Sequence, residues 1–422
     1  MKKKLFSYNQ YKYIIFWILA VSYVLVYFHR LCAAVVAVDM MEDLDTGGAL
    51  MGLLGAAYFY PYALMQLPAG LLSDSWGPRR TITLFFIIAF VGSIVQGMAP
   101  TVFWAITGRA MVGTGVAMLF VPTMKILAEW FTRKEFSSMT GVLIAMGGLG
   151  TLIATSPLAL LSNAFGWRLS FVIIGIITLV SALLVGVVVR DRPSDAGFEV
   201  TLDTRAVTDD RIGLAAGVRM VLGHPRFWTL GAWFFFGCAI FFNFGGLWGG
   251  PFLMQVYHLS KAESGNILSM LAVGMIIGSP LLSFLSDRIF KSRKKMIIMS
   301  SVMSLVLTSI LAFHTTGIPL PLLYVLCFFM GFSTNAIVVV GFAAAKELFP
   351  VQIAGTSTGL VNLFPFLGGA IFQPGLGHIL ERYGKVAGSF TVDGYEAAFF
   401  ILFCSSCLAL VSSFLIKETV NG

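Results

Sequence analysis

Twelve apolar stretches, each of roughly the 20 residues that a helix needs to cross a bilayer's hydrocarbon core, recur along the chain and restrict its fold more than any other feature. In hydrocarbon every backbone N–H and C=O must be satisfied within the structure, which leaves helices or closed barrels. Barrel strands would alternate apolar and polar residues, whereas Leu84 to Val91 is unbroken apolar sequence. Helices are therefore expected near 13–38, 47–72, 81–98, 103–127, 136–161, 168–189, 226–254, 263–285, 295–314, 318–344, 355–381 and 394–416. The longest interruption, rich in Arg, Asp and Pro, divides them six and six. It gives a first bundle at 1–190, a polar linker at 191–225 and a second bundle at 226–422. Only 11% of the 422 residues are charged, against roughly 25% in soluble domains, so lipid covers most of the surface.

Basic residues orient the spans. With the N-terminus inside, cytoplasmic segments hold 21 of the 28 Lys and Arg, and the opposite loops hold 4: Arg168, Lys261, Arg382 and Lys385. Both termini are expected in the cytoplasm. The net charge of +8 then reflects topology and calls for no nucleic-acid partner. The opening Met1-Lys-Lys-Lys lacks a following cleavage site and reads as the start of an uncleaved first helix. Cys404-Ser-Ser-Cys407 lies inside an apolar span without a second ligand pair, so packing is preferred to metal or redox chemistry.

The chain carries an internal repeat. Asp74 and Asp287 lie 213 residues apart, each preceded by serine and followed six residues later by arginine (Arg80 and Arg293). Duplicated six-helix halves are a transporter signature. Gly70-Leu-Leu-Ser-Asp74-Ser-Trp-Gly77-Pro-Arg79-Arg80 fits the loop between helices two and three of the major facilitator superfamily, which the chain resembles along nearly its whole length. The resemblance implies an all-α membrane protein of two pseudo-symmetric six-helix bundles in a bacterial inner membrane, with Asp74 and Arg80 governing a cytoplasmic gate. A loop that only sets topology is the competing reading.

Arg30 dominates the candidate site. An arginine in mid-span costs roughly 2.5–3.5 kcal/mol on insertion scales and pairs or faces a water-filled cavity. Apolar sequence flanks it for two turns or more on each side, which disfavours snorkelling, and a fixed cation selects an anion. The repeat offset carries Arg30 to Asn243. One cation opposite one amide suits a monoanion such as a carboxylate better than a dianionic phosphate.

The first half is similar to the anion:cation symporters, whose second-helix pattern is matched by Tyr62-Ala-Leu-Met-Gln66-Leu-Pro68-Ala-Gly70. That likeness implies that Tyr62 and Gln66 approach the solute. Tyr58 shares their face at i, i+4. Where that group carries membrane carboxylates, this chain has His29 before Arg30, and Val116 after Arg109-Ala-Met-Val-Gly113-Thr-Gly115. His29 is the proton-coupling candidate or a hydrogen bond to a neighbouring helix; Arg109 is a relay or a structural pair. Lys125 either snorkels or binds. Asn362 and Gln373 are amide ligands or interhelical contacts.

No Walker pattern, His-Glu-x-x-His or nucleophile elbow occurs, so neither ATP, a cofactor nor enzymatic chemistry is expected. The leading expectation is a monomeric secondary transporter of a small organic anion, with protons as an optional partner. A proton-coupled exporter of drugs or siderophores, and a non-transporting sensor on the same scaffold, are the alternatives.

Overall fold

The computed structural model describes residues 7–198, 214–350 and 353–419. Eleven helices are long and apolar enough to cross a membrane, and a shorter one, apolar over Ser138–Ile153, completes the twelve. In the first half these are α1 (Tyr8–Leu31, continued by Ala33–Asp43), α2 (Gly48–Ser75), α3 (Pro78–Gly97), α4 (Val102–Ala117 and Phe120–Trp130), α5 (Arg133–Ile153) and α6 (Ser156–Val188). In the second half they are α7 (Pro225–Val256), α8 (Lys261–Ile289), α9 (Arg293–Phe313), α10 (Leu320–Glu347), α11 (Ala354–Val361 and Leu363–Tyr383) and α12 (Val392–Leu415). A short helix, Leu214–Leu222, precedes α7.

Differences from the sequence expectation have local causes. The first helix begins at Tyr8 instead of 13, because Ser7 and Gln10 form a reciprocal capping box. The polar turn that follows is tied to the bundle: the Tyr8 hydroxyl donates to the Trp130 carbonyl (2.6 Å), the Tyr11 hydroxyl donates to that of Val188 (2.6 Å), and the buried Lys12 pairs with Glu135 at 2.7 Å. The Lys12 ammonium holds the Glu135 carboxyl below its ordinary range. Proline explains three interruptions, since it lacks an N–H for the carbonyl four residues earlier. Pro122 follows the break in α4, Pro157 the break between α5 and α6, and Pro365 the break in α11 at Asn362. Gly166, at φ 76°, turns the Ser156–Val188 run sharply. In α7 the segment Phe241–Trp248 is a π-helix.

The two halves meet unequally at their two ends. At the end away from the termini, α2 and α11 interlock through glycine. A Cβ on Gly48 would stand 2.5 Å from the Gly377 carbonyl oxygen, and one on Gly52 would stand 2.5 Å from that of Gln373. Gly250 of α7 lies against the Ala34 carbonyl in the continuation of α1, with no room for a side-chain carbon. Small residues are what permit such backbone approach. Polar contacts reinforce it: Lys261 pairs with Asp39 and donates to Ser162 (3.2 Å), and the Ala49 N–H donates to Glu381 (3.0 Å). Ser156 bonds Asn266 at 2.6 Å. Toward the termini, glycines of the two halves have open space beside them instead. Gly70 and Gly141 in one half, and Gly355 and Gly359 in the other, have no atom within 4 Å of the Cβ position among the described residues.

Asp39→Asn is expected to loosen the sealed end, because it leaves the Lys261 ammonium with only neutral partners there. Hydrogen–deuterium exchange of the peptide from Thr46 to Gly52 should rise. The charge swap Asp39→Lys with Lys261→Asp should bring it back down, whereas a swap that fails to do so would show that packing alone makes the seal.

Candidate functional site

Helices α2 and α11 stay in contact from the sealed end as far as Gln66 and Asn362, and Arg30 sits at that level. Its side chain comes from the last full turn of α1 before the helix slackens at Cys32. Arg30 is 6% exposed. Its Nη2 donates to the Tyr62 hydroxyl at 3.0 Å. The guanidinium carbon lies 4.3 Å from the ring centre of Tyr27, 5.1 Å from that of Tyr62 and 5.1 Å from that of Phe366. Its Nε is buried without a partner, and no carboxylate pairs with it among the described residues. A cation so desolvated attracts an anion far more strongly than one in water does.

Tyr62 is placed by its neighbours. It stacks on Tyr58 with centroids 5.5 Å apart, the face-sharing that their i, i+4 spacing implies. The Tyr58 hydroxyl donates to the Val26 carbonyl at 3.3 Å. Under Tyr58 lies Arg109, its guanidinium carbon 5.0 Å from the ring centre and its Nη1 3.2 Å from the Cys32 sulfur. Arg109 is almost fully buried, and its Nε too lacks a partner. One turn along α2, Gln66 donates to the Tyr62 carbonyl (3.4 Å) and accepts from the Asn362 Nδ2 (3.1 Å), a hydrogen bond that joins the two halves.

The structure thus brings together Arg30, Tyr58, Tyr62, Gln66 and Asn362 of the sequence candidates. It adds Tyr27 and Phe366, which the reading of polar residues passed over. Their spacing was the available signal: Tyr27 is three residues before Arg30, and Phe366 four after Asn362, each on its neighbour's face.

Other candidates lie elsewhere. Asn243 is fully buried in the π-helix, donates to the Ala239 carbonyl at 2.6 Å and makes no bond to Arg30. Its Oδ1 is buried without a partner among the described residues, and its neighbour Phe242 packs on Phe366. Gln373 donates to the Phe242 carbonyl at 2.8 Å and presses on Gly55, within the sealed seam. Of the two readings of Lys125, its contacts favour the interface: its ammonium meets Asp74 at 2.6 Å and the Ser73 carbonyl at 3.0 Å, at the termini end of α4. Its chain extends toward that end because two acceptors wait there. His29 turns toward α6, its Nε2 3.3 Å from the Thr178 hydroxyl, and its Nδ1 has no partner.

The loop after α2 is organised by Gly77, whose φ of 89° suits glycine. Arg79 donates its backbone N–H to Asp191 at 2.7 Å. Asp74 is held by Lys125 and not by Arg80, which makes no ion pair among the described residues. In the second half Asp287 pairs with Arg293, which also reaches Glu347 at 3.1 Å.

Comparison with known proteins agrees with this architecture. The sequence profile of the Major Facilitator Superfamily matches residues 19–250 and 242–421. The chain is 22% identical to a probable sulfoacetate transporter of Cupriavidus necator, covering 91% of this chain and 90% of that protein. It is 24% identical to the hexuronate transporter of Bacillus subtilis (88% and 89%) and 21% identical to a probable galactarate/D-glucarate transporter of Escherichia coli (92% of each). Among solved structures, the fold matches a bacterial homolog of the human lysosomal transporter Spinster with a TM-score of 0.77 at 19% identity, over 96% of this chain and 97% of that one. A nucleoside transporter matches with a TM-score of 0.76 at 13% identity (96% and 99%).

Proposed function

The chain belongs to the major facilitator superfamily, and on that premise we propose that it is a secondary transporter of a small organic anion, working by alternating access between its two halves. Arg30 carries this reading. It is a buried guanidinium held in place by Tyr62 and three rings, with an unbonded Nε and no acid upon it among the described residues. A solute carboxylate or sulfonate supplies the missing charge, and Gln66 and Asn362 offer amide groups one turn away for its hydroxyls. The relatives named for sulfoacetate, hexuronate, galactarate and glucarate all handle acids, which supports an acid here.

The excess of basic residues on the termini side assigns that side to the cytoplasm. The sealed end then faces outward, and the ends of α2, α5 and α11 with open space beside them face inward. Asp74 is assigned to the inner gate, where Lys125 holds it while the gate is open. Closure passes Asp74 from Lys125 to a partner in the opposite half. His29 turns to Thr178, and among the described residues no histidine or carboxylate bonds to the Arg30 cluster, so in this reading net movement follows the solute gradient.

The test is counterflow in proteoliposomes with labelled sulfoacetate, D-glucuronate and D-glucarate, each against its neutral amide or parent sugar. Acids should exchange and the neutral compounds should not. An imposed pH gradient should leave the initial rate unchanged. Uptake of a neutral sugar or a nucleoside in preference to every acid would overturn the reading.

A further inference from the structure

Arg30 belongs to the first half, yet one of the three rings over its guanidinium, that of Phe366, belongs to the second. Phe366 is buried and packs 4.3 Å from Tyr62, 5.8 Å from Phe242 and 6.3 Å from Phe59, centroid to centroid. One turn away along α11, Asn362 donates to Gln66 across the same seam. At the level of the site the halves therefore touch through this cation–ring contact and this hydrogen bond, beside the ring packing of Tyr62 and Phe59 on Phe366 and Phe242. A ring face attracts a guanidinium in proportion to the charge that the guanidinium presents.

Resting on the reading that a solute anion binds Arg30, we propose that Phe366 is a positioning residue that reports the occupancy of Arg30 to the second half. With the site empty, the ring clasps a bare cation and holds the halves together at this level. An anion arriving on the unbonded edge of the guanidinium, where Nε has no partner, neutralises the cation and slackens the clasp. The loaded protein then changes conformation more readily than the empty one. Transport by exchange, in which both crossings are made loaded, outruns net exit, in which the return crossing is made empty.

Efflux from proteoliposomes loaded with the fastest-moving labelled acid of the set above tests this, with and without the same unlabelled acid outside. In the unaltered protein the external acid should speed exit by about 2- to 30-fold, the span that exposed to desolvated cation–ring pairs correspond to. Phe366→Leu keeps an apolar side chain but no ring face, and should bring that ratio close to one by raising net exit toward the rate of exchange. Phe366→Tyr should retain the ratio. An unchanged ratio in Phe366→Leu, or exchange and net exit falling together, would overturn the proposal and mark the ring as packing only. If the unaltered protein exchanges none of the acids, the transport reading itself falls, a result distinct from an unaltered ratio.

Discussion

Arg30→Gln should cut anion transport steeply while leaving the protein folded, with kcat/KM lower by about 30- to 4,000-fold. Losing one partner of a buried charge-assisted pair costs about 2–5 kcal/mol, and each 1.4 kcal/mol is tenfold. Glutamine keeps a donor for the Tyr62 hydroxyl and an unbranched chain between the rings of Tyr27 and Phe366, so the loss would be of charge and not of shape. Stability should move the other way. An unneutralised arginine within a span is unfavourable by roughly 2.5–3.5 kcal/mol on insertion scales, and its removal takes that burden away. Proteoliposome exchange paired with thermal unfolding of the purified protein reads both effects. Transport lost together with a lower melting temperature would mean that Arg30 holds the bundle together, and transport retained would remove it from the binding site.

Gly250→Ala should trap the protein with its sealed end open. The Gly250 Cα lies so close to the Ala34 carbonyl that an added methyl overlaps backbone of the opposite half. Backbone cannot rotate away as a flexible side chain can, so the clash must be relieved by moving the halves apart. The contacts between Gly48 and Gly377 and between Lys261 and Asp39 would go with it. Overpacking of this kind costs about 1–3 kcal/mol, which is about 5- to 150-fold in the ratio of sealed to open protein. Leu50 and Tyr383 are exposed at that end on opposite halves. Spin labels on Leu50→Cys and Tyr383→Cys, with the native cysteines replaced, should move to a longer mean distance in Gly250→Ala, and exchange should slow by a similar factor. An unaltered distance distribution would show that α7 yields locally and that the glycine is not a closing surface.

Much of the fold was legible because bilayer physics leaves few options. Span number, antiparallel order and the duplicated halves all follow from apolar run length and from the repeat about Asp74 and Asp287. Helix ends were less legible where polar residues are tied to partners far along the chain. The turn at Tyr8–Lys12 reads as surface until Trp130, Glu135 and Val188 are seen around it. In the site, Arg30, Tyr62, Gln66 and Asn362 could be found because polar atoms in a membrane span stand out. Phe366 had only its spacing from Asn362 to mark it among 38 phenylalanines, a weak cue until a cation is found beneath the ring. The π-helical segment around Asn243 and the two acceptors that meet Lys125 are products of folding that residue counting does not anticipate.

The glycine-interlocked seam has a bearing on how affinities will read. Backbone seated on backbone shuts the end away from the termini, the outward face in the proposed orientation, so a solute arriving there meets only the fraction of molecules that happen to be unlatched. Its half-saturating concentration is raised by the reciprocal of that fraction, although the pocket is unaltered. The same solute offered from the side of the termini does not have to open that seam and shows a strength closer to the intrinsic one. Inside-out vesicles should therefore saturate at lower concentration than right-side-out ones, with the gap measuring the free energy stored in the seam.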